Sequence, residues 1–184
     1  MELEYEAWEE EKMIKLRQII NEQQFVSSAF LQKMKQFENS VLSGWNSKKK
    51  KWYPHGSVEG GAKTIAYGHK ILPTENFNAG ITESQATSLL KKDINNAISK
   101  IKGVLNIKLD ALPVPVQQAL VNAMFRGELK STHTTVKLMQ QNKWNAAAIE
   151  YINHREYKKG GGIRDRMHWN YVRFKSYGDK LASK

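Results

Sequence analysis

The chain has 184 residues, no cysteine and a formal net charge of +11. That length suits one domain able to bury a sizeable core, and the lack of thiols excludes disulfides, a cysteine nucleophile and thiolate metal sites. The first eleven residues hold six glutamates and no lysine or arginine, so a total of +11 leaves +17 on the remainder. Such a field attracts polyanions without identifying one.

Met1 to Trp8 lacks the basic and apolar regions of a secretory signal, and no apolar run reaches membrane-spanning length; neither a signal peptide nor membrane insertion is expected. Leu3, Trp8, Met13, Leu16, Ile19 and Ile20 are spaced as in a helix among many charges, which makes residues 1–24 an acidic helical arm. It either packs on the domain or docks the chain onto another protein.

Phe30, Leu31, Met34, Phe37 and Val41 recur at the spacing of a helix that buries one face, and Glu38 lies beside that stripe. A carboxyl leaving an apolar helix for a polar turn is poorly hydrated, keeps its proton toward neutral pH and suits general acid catalysis. The plain alternative is a solvated glutamate on an amphipathic helix.

Between Trp45 and Leu72 the β-prone runs Trp52-Tyr53 and Thr64 to Tyr67, bounded by Gly56 to Gly61 and other turn residues, predict a small antiparallel sheet. Lys48 to Lys51 followed by Trp52 and Tyr53 puts cations beside aromatics, a pattern that can hold phosphates and stack bases. No zinc-finger spacing, RNA-binding signature or zipper accompanies it, so no specific nucleic-acid partner is expected.

Thr82 and Gln85 form a capping-box pair, followed by Leu90, Ile94, Ala97, Ile98 and Ile101 on one helical stripe, with Gly103 as a stop. Pro113 and Pro115 precede a further helix, and Gly160 to Gly162 precede an arginine cluster at Arg164 and Arg166. The histidines are scattered without a His-Glu-x-x-His spacing, so no metal and no cofactor are expected.

Phe37-Glu38, Tyr53-Pro54-His55 and Thr64-Ile65-Ala66-Tyr67-Gly68-His69, in that order, resemble the phage-type lysozymes, glycoside hydrolase family 24, and are similar to the lysozyme of T-even phages. The resemblance continues through Ile81 to Ile94, Val116 to Phe125, Val136 to Ala148 and Gly162 to Arg166, covering roughly residues 30–178. Two positions depart from the family pattern. His55 stands where aspartate is usual, and Ala66 where glycine is usual.

The resemblance implies an α+β, predominantly helical, lysozyme-like two-lobed fold with a small antiparallel sheet lobe, a long connecting helix and a helical C-terminal lobe. The corresponding boundaries are 1–24 for the arm and 25–184 for the domain, divided into 25–81, 82–103 and 104–184. It further implies a muramidase that hydrolyses the β-1,4 bond between N-acetylmuramic acid and N-acetylglucosamine in bacterial peptidoglycan. The other reading is a catalytically inactive lysozyme-like virion structural or wall-binding protein.

On this resemblance Glu38 is the proton donor and Thr64 positions the water. The second group stays open among His55 as a base, Glu59 from the lengthened turn, and an inactive site. His69 supports the active-site turn, Arg164 reaches back toward Glu38 with Arg166 as second choice, and Arg126 replaces a smaller polar residue that faces the sugar chain. Trp45, Trp52 and Tyr53 stack on saccharide rings or pack the core. The expected setting is the host cytoplasm before release to the cell wall, or a phage particle, where the arm meets another virion protein.

Overall fold

The computed structural model describes residues 8–9, 12–13, 25–56, 61 and 63–183. Glu59 and most of the acidic arm lie outside the described residues, and with them the substitute carboxylate and the docking face of the arm. Helix α1, Ser28–Asn39, starts where the Ser27 hydroxyl accepts the Phe30 N–H at 3.2 Å. It buries Phe30, Leu31 and Met34.

Asn39 ends the helix. Its Oδ1 accepts the Ser43 N–H at 2.8 Å, and its Nδ2 donates to the carbonyls of Ser43 at 2.9 Å and Ala66 at 2.7 Å, a local bonding pattern that competes with helix continuation. Val41, placed on the apolar stripe by spacing, therefore falls past the helix end and is 80% exposed. Phe37 is half-buried, edge-on to Trp169 at 5.7 Å between ring centroids.

Five short strands come next. The β1 (Trp45–Asn46) and β2 (Lys51–Trp52) strands pair antiparallel, and β3 (His55–Gly56), β4 (Lys63–Ile65) and β5 (His69–Lys70) form a second antiparallel sheet in that order. Lys48 to Lys50 are the exposed turn of the first hairpin. Trp52 is buried between the rings of Trp45 and Tyr67, at 5.0 and 5.1 Å, so its aromatic face serves the core and is not available to a sugar.

Helix α2, Glu83–Leu105, begins with both halves of the Thr82–Gln85 capping box. Leu90, Ile94, Ala97, Ile98 and Ile101 are all buried along it. Gly103 does not stop the helix; it runs on to Leu105, and Asn106 takes the left-handed conformation at φ 51°, because an asparagine tolerates that cap nearly as well as glycine. At its start Glu83 accepts from Lys35 Nζ, Trp52 Nε1 and Tyr67 OH, each at 2.7 Å, tying α1, the first hairpin and the β4–β5 turn to one helix end.

A 3-10 turn, Leu109–Ala111, leads to α3 (Val114–Phe125), α4 (Thr134–Gln140), α5 (Trp144–Ile152), α6 (Arg155–Lys159) and α7 (Gly161–Ala182). α2 touches β2 and β5 as well as α3 and α4, so it links the strand-bearing segment to the helical remainder. α7 packs against α5 and α3. The first of these contacts is close: a Cβ at Gly178 would sit 2.4 Å from Asn145 Oδ1. One apolar cluster runs from Phe25 to Phe174.

Candidate active site

Glu38 occupies the last turn of α1, just before the Asn39 bonds that swing the chain toward the β4–β5 turn. Its Oε1 pairs with Arg166 Nη2 at 2.5 Å, and the two side chains are 14% and 4% exposed. Burial pushes the Glu38 carboxyl up, the charge and hydrogen bond of Arg166 pull it down, Arg126 pulls it down further and Glu128 pushes it up; the net shift is upward. A carboxyl that holds its proton above the usual range while gripped by a cation is both an acid and an oriented one.

The other oxygen, Oε2, faces Gly68, where a Cβ would lie 3.1 Å away. Gly68 also has φ 78°, so glycine is required there twice over. Gly68→Ala is expected to cost about 1–2 kcal/mol of stability from backbone strain. By displacing the carboxyl it should also lower any glycan-hydrolysing activity by roughly 10–100-fold. Parallel melting curves and initial rates check both.

Arg166 is the centre of a buried polar chain. Its Nε donates to Asn122 Oδ1 at 2.8 Å and its Nη2 to the Asn122 carbonyl at 3.2 Å. Asn122 donates to Asn170 at 2.9 Å, Asn170 donates to the Tyr151 hydroxyl at 2.7 Å, and Tyr151 donates in turn to Glu128 Oε2. Glu128 Oε1 pairs with Arg126 Nε at 3.0 Å, and Arg126 Nη2 reaches Glu156 at 3.0 Å. Burial pushes the Glu128 carboxyl up, against the opposing Tyr151 hydrogen bond and the charges of Arg166 and Arg126.

These contacts correct one expectation. Arg164 does not reach Glu38: it is exposed and lies over the Tyr157 ring at 5.5 Å, whereas Arg166 holds the carboxyl. The two are separated by two helical positions, about 200° around α7, so only one can face inward. Arg126 bridges Glu128 and Glu156 instead of standing open to a ligand, which makes it a supporting side chain.

The β3–β4–β5 register pairs His55 with Thr64 and Thr64 with Lys70. Directly opposite residues share a face, with Cβ atoms about 5 Å apart, so His55, Thr64 and Lys70 form one row across the sheet. Ile65 and His69 form the opposite, buried pair. His55 Nδ1 meets the Gly56 carbonyl at 3.1 Å, a contact that requires the proton on Nδ1, while Nε2 is buried without a partner among the described residues. The ring rests on Gly44, where a Cβ would lie 2.7 Å from its Cδ2. Tyr53 is half-buried against Gly80 and hydrogen-bonds through its backbone to Gly44, placing it in the hairpin's support.

His69 is buried, with Nδ1 2.8 Å from Asp93 Oδ2 and Nε2 3.0 Å from Glu75 Oε2. Burial would lower its pKa, but hydrogen bonds and charges from Asp93 and Glu75 outweigh that and raise it. A raised histidine stabilises fully below the unfolded value of about 6.5, and its contribution fades as pH climbs through the higher folded value. His69→Asn should therefore cost about 1–2 kcal/mol more at pH 6 than at pH 9, read from denaturant unfolding at both pH values.

Two cavities flank the cluster. One of about 420 Å³ is lined by Gly68, Lys70, Lys92, Lys100 and Phe125 among others, and a second of about 620 Å³ by Arg126, Glu128, Tyr151, His133, His154 and Glu156 among others. Glu38 is not among the lining residues of either; Gly68, which its Oε2 faces, lines the first, and its charge neighbours Arg126 and Glu128 line the second. Residues 43–168 match the phage lysozyme family model. The chain belongs to the phage lysozyme family.

Within this phage lysozyme family member the matched stretch is shorter at both ends than the motif resemblance and begins after Glu38, so the assignment of Glu38 rests on the ion pair, the burial and Gly68. The fold is similar to that of the muramidase domain of SpmX from Asticaccaulis excentricus, with a TM-score of 0.59 and 18% identity over 81% of this chain and 96% of that domain. That likeness supports a predominantly helical lysozyme-like fold with small antiparallel sheets. No curated protein sequence matches the chain.

Sequence reasoning gave no role to Glu128, Asn122, Tyr151, Asn170 or Asn39. A usable signal existed on α7, since Arg166, Asn170 and Phe174 recur at i, i+4 and i+8 and are all buried. Polar residues on a buried stripe imply partners. Asn122 within the otherwise apolar run of α3 was the matching hint.

Proposed function

We propose that this protein is a muramidase that cleaves the β-1,4 bond between N-acetylmuramic acid and N-acetylglucosamine in peptidoglycan, with Glu38 as the general acid. The observation that carries the reading is a buried, Arg166-held carboxyl whose second oxygen lies against Gly68, a residue that lines a cavity. Glu38 protonates the departing glycosidic oxygen as the sugar develops oxocarbenium character. His55 Nε2 is closed to solvent against Gly44 in this structure, so in this reading the imidazole turns outward before its Nε2 lone pair meets a water that the Thr64 hydroxyl helps position. Attack by that water from the opposite face inverts the anomeric centre.

Digestion of purified peptidoglycan followed by labelling of new reducing ends tests the reading. His55→Ala and Glu59→Gln, run beside the unsubstituted chain, separate the two candidates for the second group. Proton NMR of the first-formed product anomer reports inversion. Delivery on a phage particle or by release through the host membrane belongs to the same proposal, and immunodetection in purified virions separates the two routes.

The second reading is a wall-binding module without hydrolysis, favoured by an imidazole at the position where a carboxylate is usual. Sedimentation with intact sacculi and no reducing-end release would establish it.

A further inference from the structure

The cavity of about 420 Å³ beside Gly68 has a basic wall. Lys92, Asn96 and Lys100 line it at i, i+4 and i+8 on α2, so the two ammonium stems are rooted about 12 Å apart along the helix. Lys70, next to Thr64 in the sheet row, closes the wall from β5. All three lysines are exposed, and none forms an ion pair among the described residues.

The nearby carboxylates offset them only in part: Lys92 is one of the charges that lower the Glu75 pKa, while Lys70 and Lys100 have no such acidic neighbour among the described residues. Asp93 and Glu75 both bond to His69, which turns their carboxylates toward the imidazole. The cavity lining also includes the apolar side chains of Leu72, Ala97, Met124 and Phe125. A strand whose scissile bond meets Glu38 beside Gly68 would have this cavity next to it, with apolar side chains and lysines both within its lining. N-acetylglucosamine carries no charge, and on such a strand the anionic groups are the carboxylates of the peptides borne by the muramic acid lactyl ethers.

We propose that Lys70, Lys92 and Lys100 form a specificity wall that selects glycan strands whose stem peptides carry free carboxylates over strands in which those carboxylates are amidated. This deepens the muramidase reading and takes the identity of the glycan from it. Flexible point-charge ammoniums suit carboxylates held on a mobile peptide, and three of them in a cleft also speed encounter at low salt.

The test uses the full chain and one batch of sacculi in two forms, native and amidated by carbodiimide coupling to ammonia. Initial rates of reducing-end release are measured against substrate concentration, and binding is measured by cosedimentation with Glu38→Gln so that no hydrolysis intervenes. The expected result is a roughly tenfold lower kcat/KM on the amidated form, residing mainly in KM. Lys70→Gln and the Lys92→Gln/Lys100→Gln pair shrink that preference toward unity, Lys70→Arg restores it, and Lys108→Gln, away from the cavity, leaves it in place. Circular dichroism verifies that each variant is folded.

Equal rates and equal binding on both forms overturn the proposal, as does a preference that survives loss of the lysines. Binding that disappears when phosphate-bearing wall polymers are stripped, with the stem carboxylates intact, also overturns it. If neither form is hydrolysed but Glu38→Gln still prefers the native sacculi, the muramidase reading fails and the specificity wall stands.

Discussion

Glu38→Gln is expected to reduce reducing-end release from peptidoglycan by about 10²–10⁴-fold while changing stability by no more than about 1 kcal/mol. The amide keeps an oxygen that can accept from Arg166 and removes a charge whose burial raises the carboxyl pKa, so the fold loses little. What it cannot do is give up a proton to a departing oxygen. Glu128 is the natural control, because it too is buried with a raised pKa. Its two oxygens are occupied, Oε2 by the Tyr151 hydroxyl and Oε1 by Arg126. Glu128→Gln should therefore retain activity within about tenfold and lose more stability than Glu38→Gln, by breaking a buried hydrogen-bonded pair. The reverse pattern, with Glu128→Gln inactive and Glu38→Gln active, would move the acid to the other cavity.

The contrast between α2 and the acid's surroundings shows what a sequence can carry. Thr82, Gln85 and the Leu90 to Ile101 stripe are local: capping and periodicity act over a few residues, and the helix follows them. The same holds for the β4–β5 segment from Thr64 to His69, where β-prone residues flank a turn containing Ala66 at φ 52° and Gly68 at φ 78°. The network around Arg166 is different, since it joins Glu38, Asn122, Tyr151 and Glu128, which are far apart in sequence and share no period. Which of two neighbouring arginines faces inward depends on the phase of α7, and that phase is set by Gly160 and Gly161, whose φ values of 83° and 75° start the helix. Motif order pointed to Arg164, and helix phase selected Arg166. The end of α1 went unread for a related reason. Asn39 stops the helix by bonding to Ala66, 27 positions away, so Val41 lost its place on the stripe to a tertiary contact.

Arg166→Met is expected to be the most destabilising of these substitutions, at about 3–5 kcal/mol near pH 8, or roughly 6–20 °C in Tm for a domain of this size. Methionine fills much of the volume but leaves the Glu38 carboxylate without its cation and Asn122 Oδ1 without its donor. The cost should depend on pH in a defined direction. Burial already raises Glu38 above its unfolded value of 4.5, and loss of Arg166 removes two opposing contributions, so the folded pKa climbs further. Near pH 4.5 the carboxyl is largely protonated in the folded variant and needs no cation, whereas at pH 8 charging it is the penalty. The gap in Tm between the parent and Arg166→Met therefore widens as pH rises from 4.5 to 8. For the fraction that folds, the alkaline limb of activity moves to higher pH, because a general acid works only while protonated. Adding Glu38→Gln to Arg166→Met removes the orphaned carboxylate and should recover part of the lost stability at pH 8, a coupling of about 1–3 kcal/mol. A gap that is flat with pH and unmoved by the second substitution would mean that Arg166 serves Asn122 alone, and that Glu38 is held by something other than its charge.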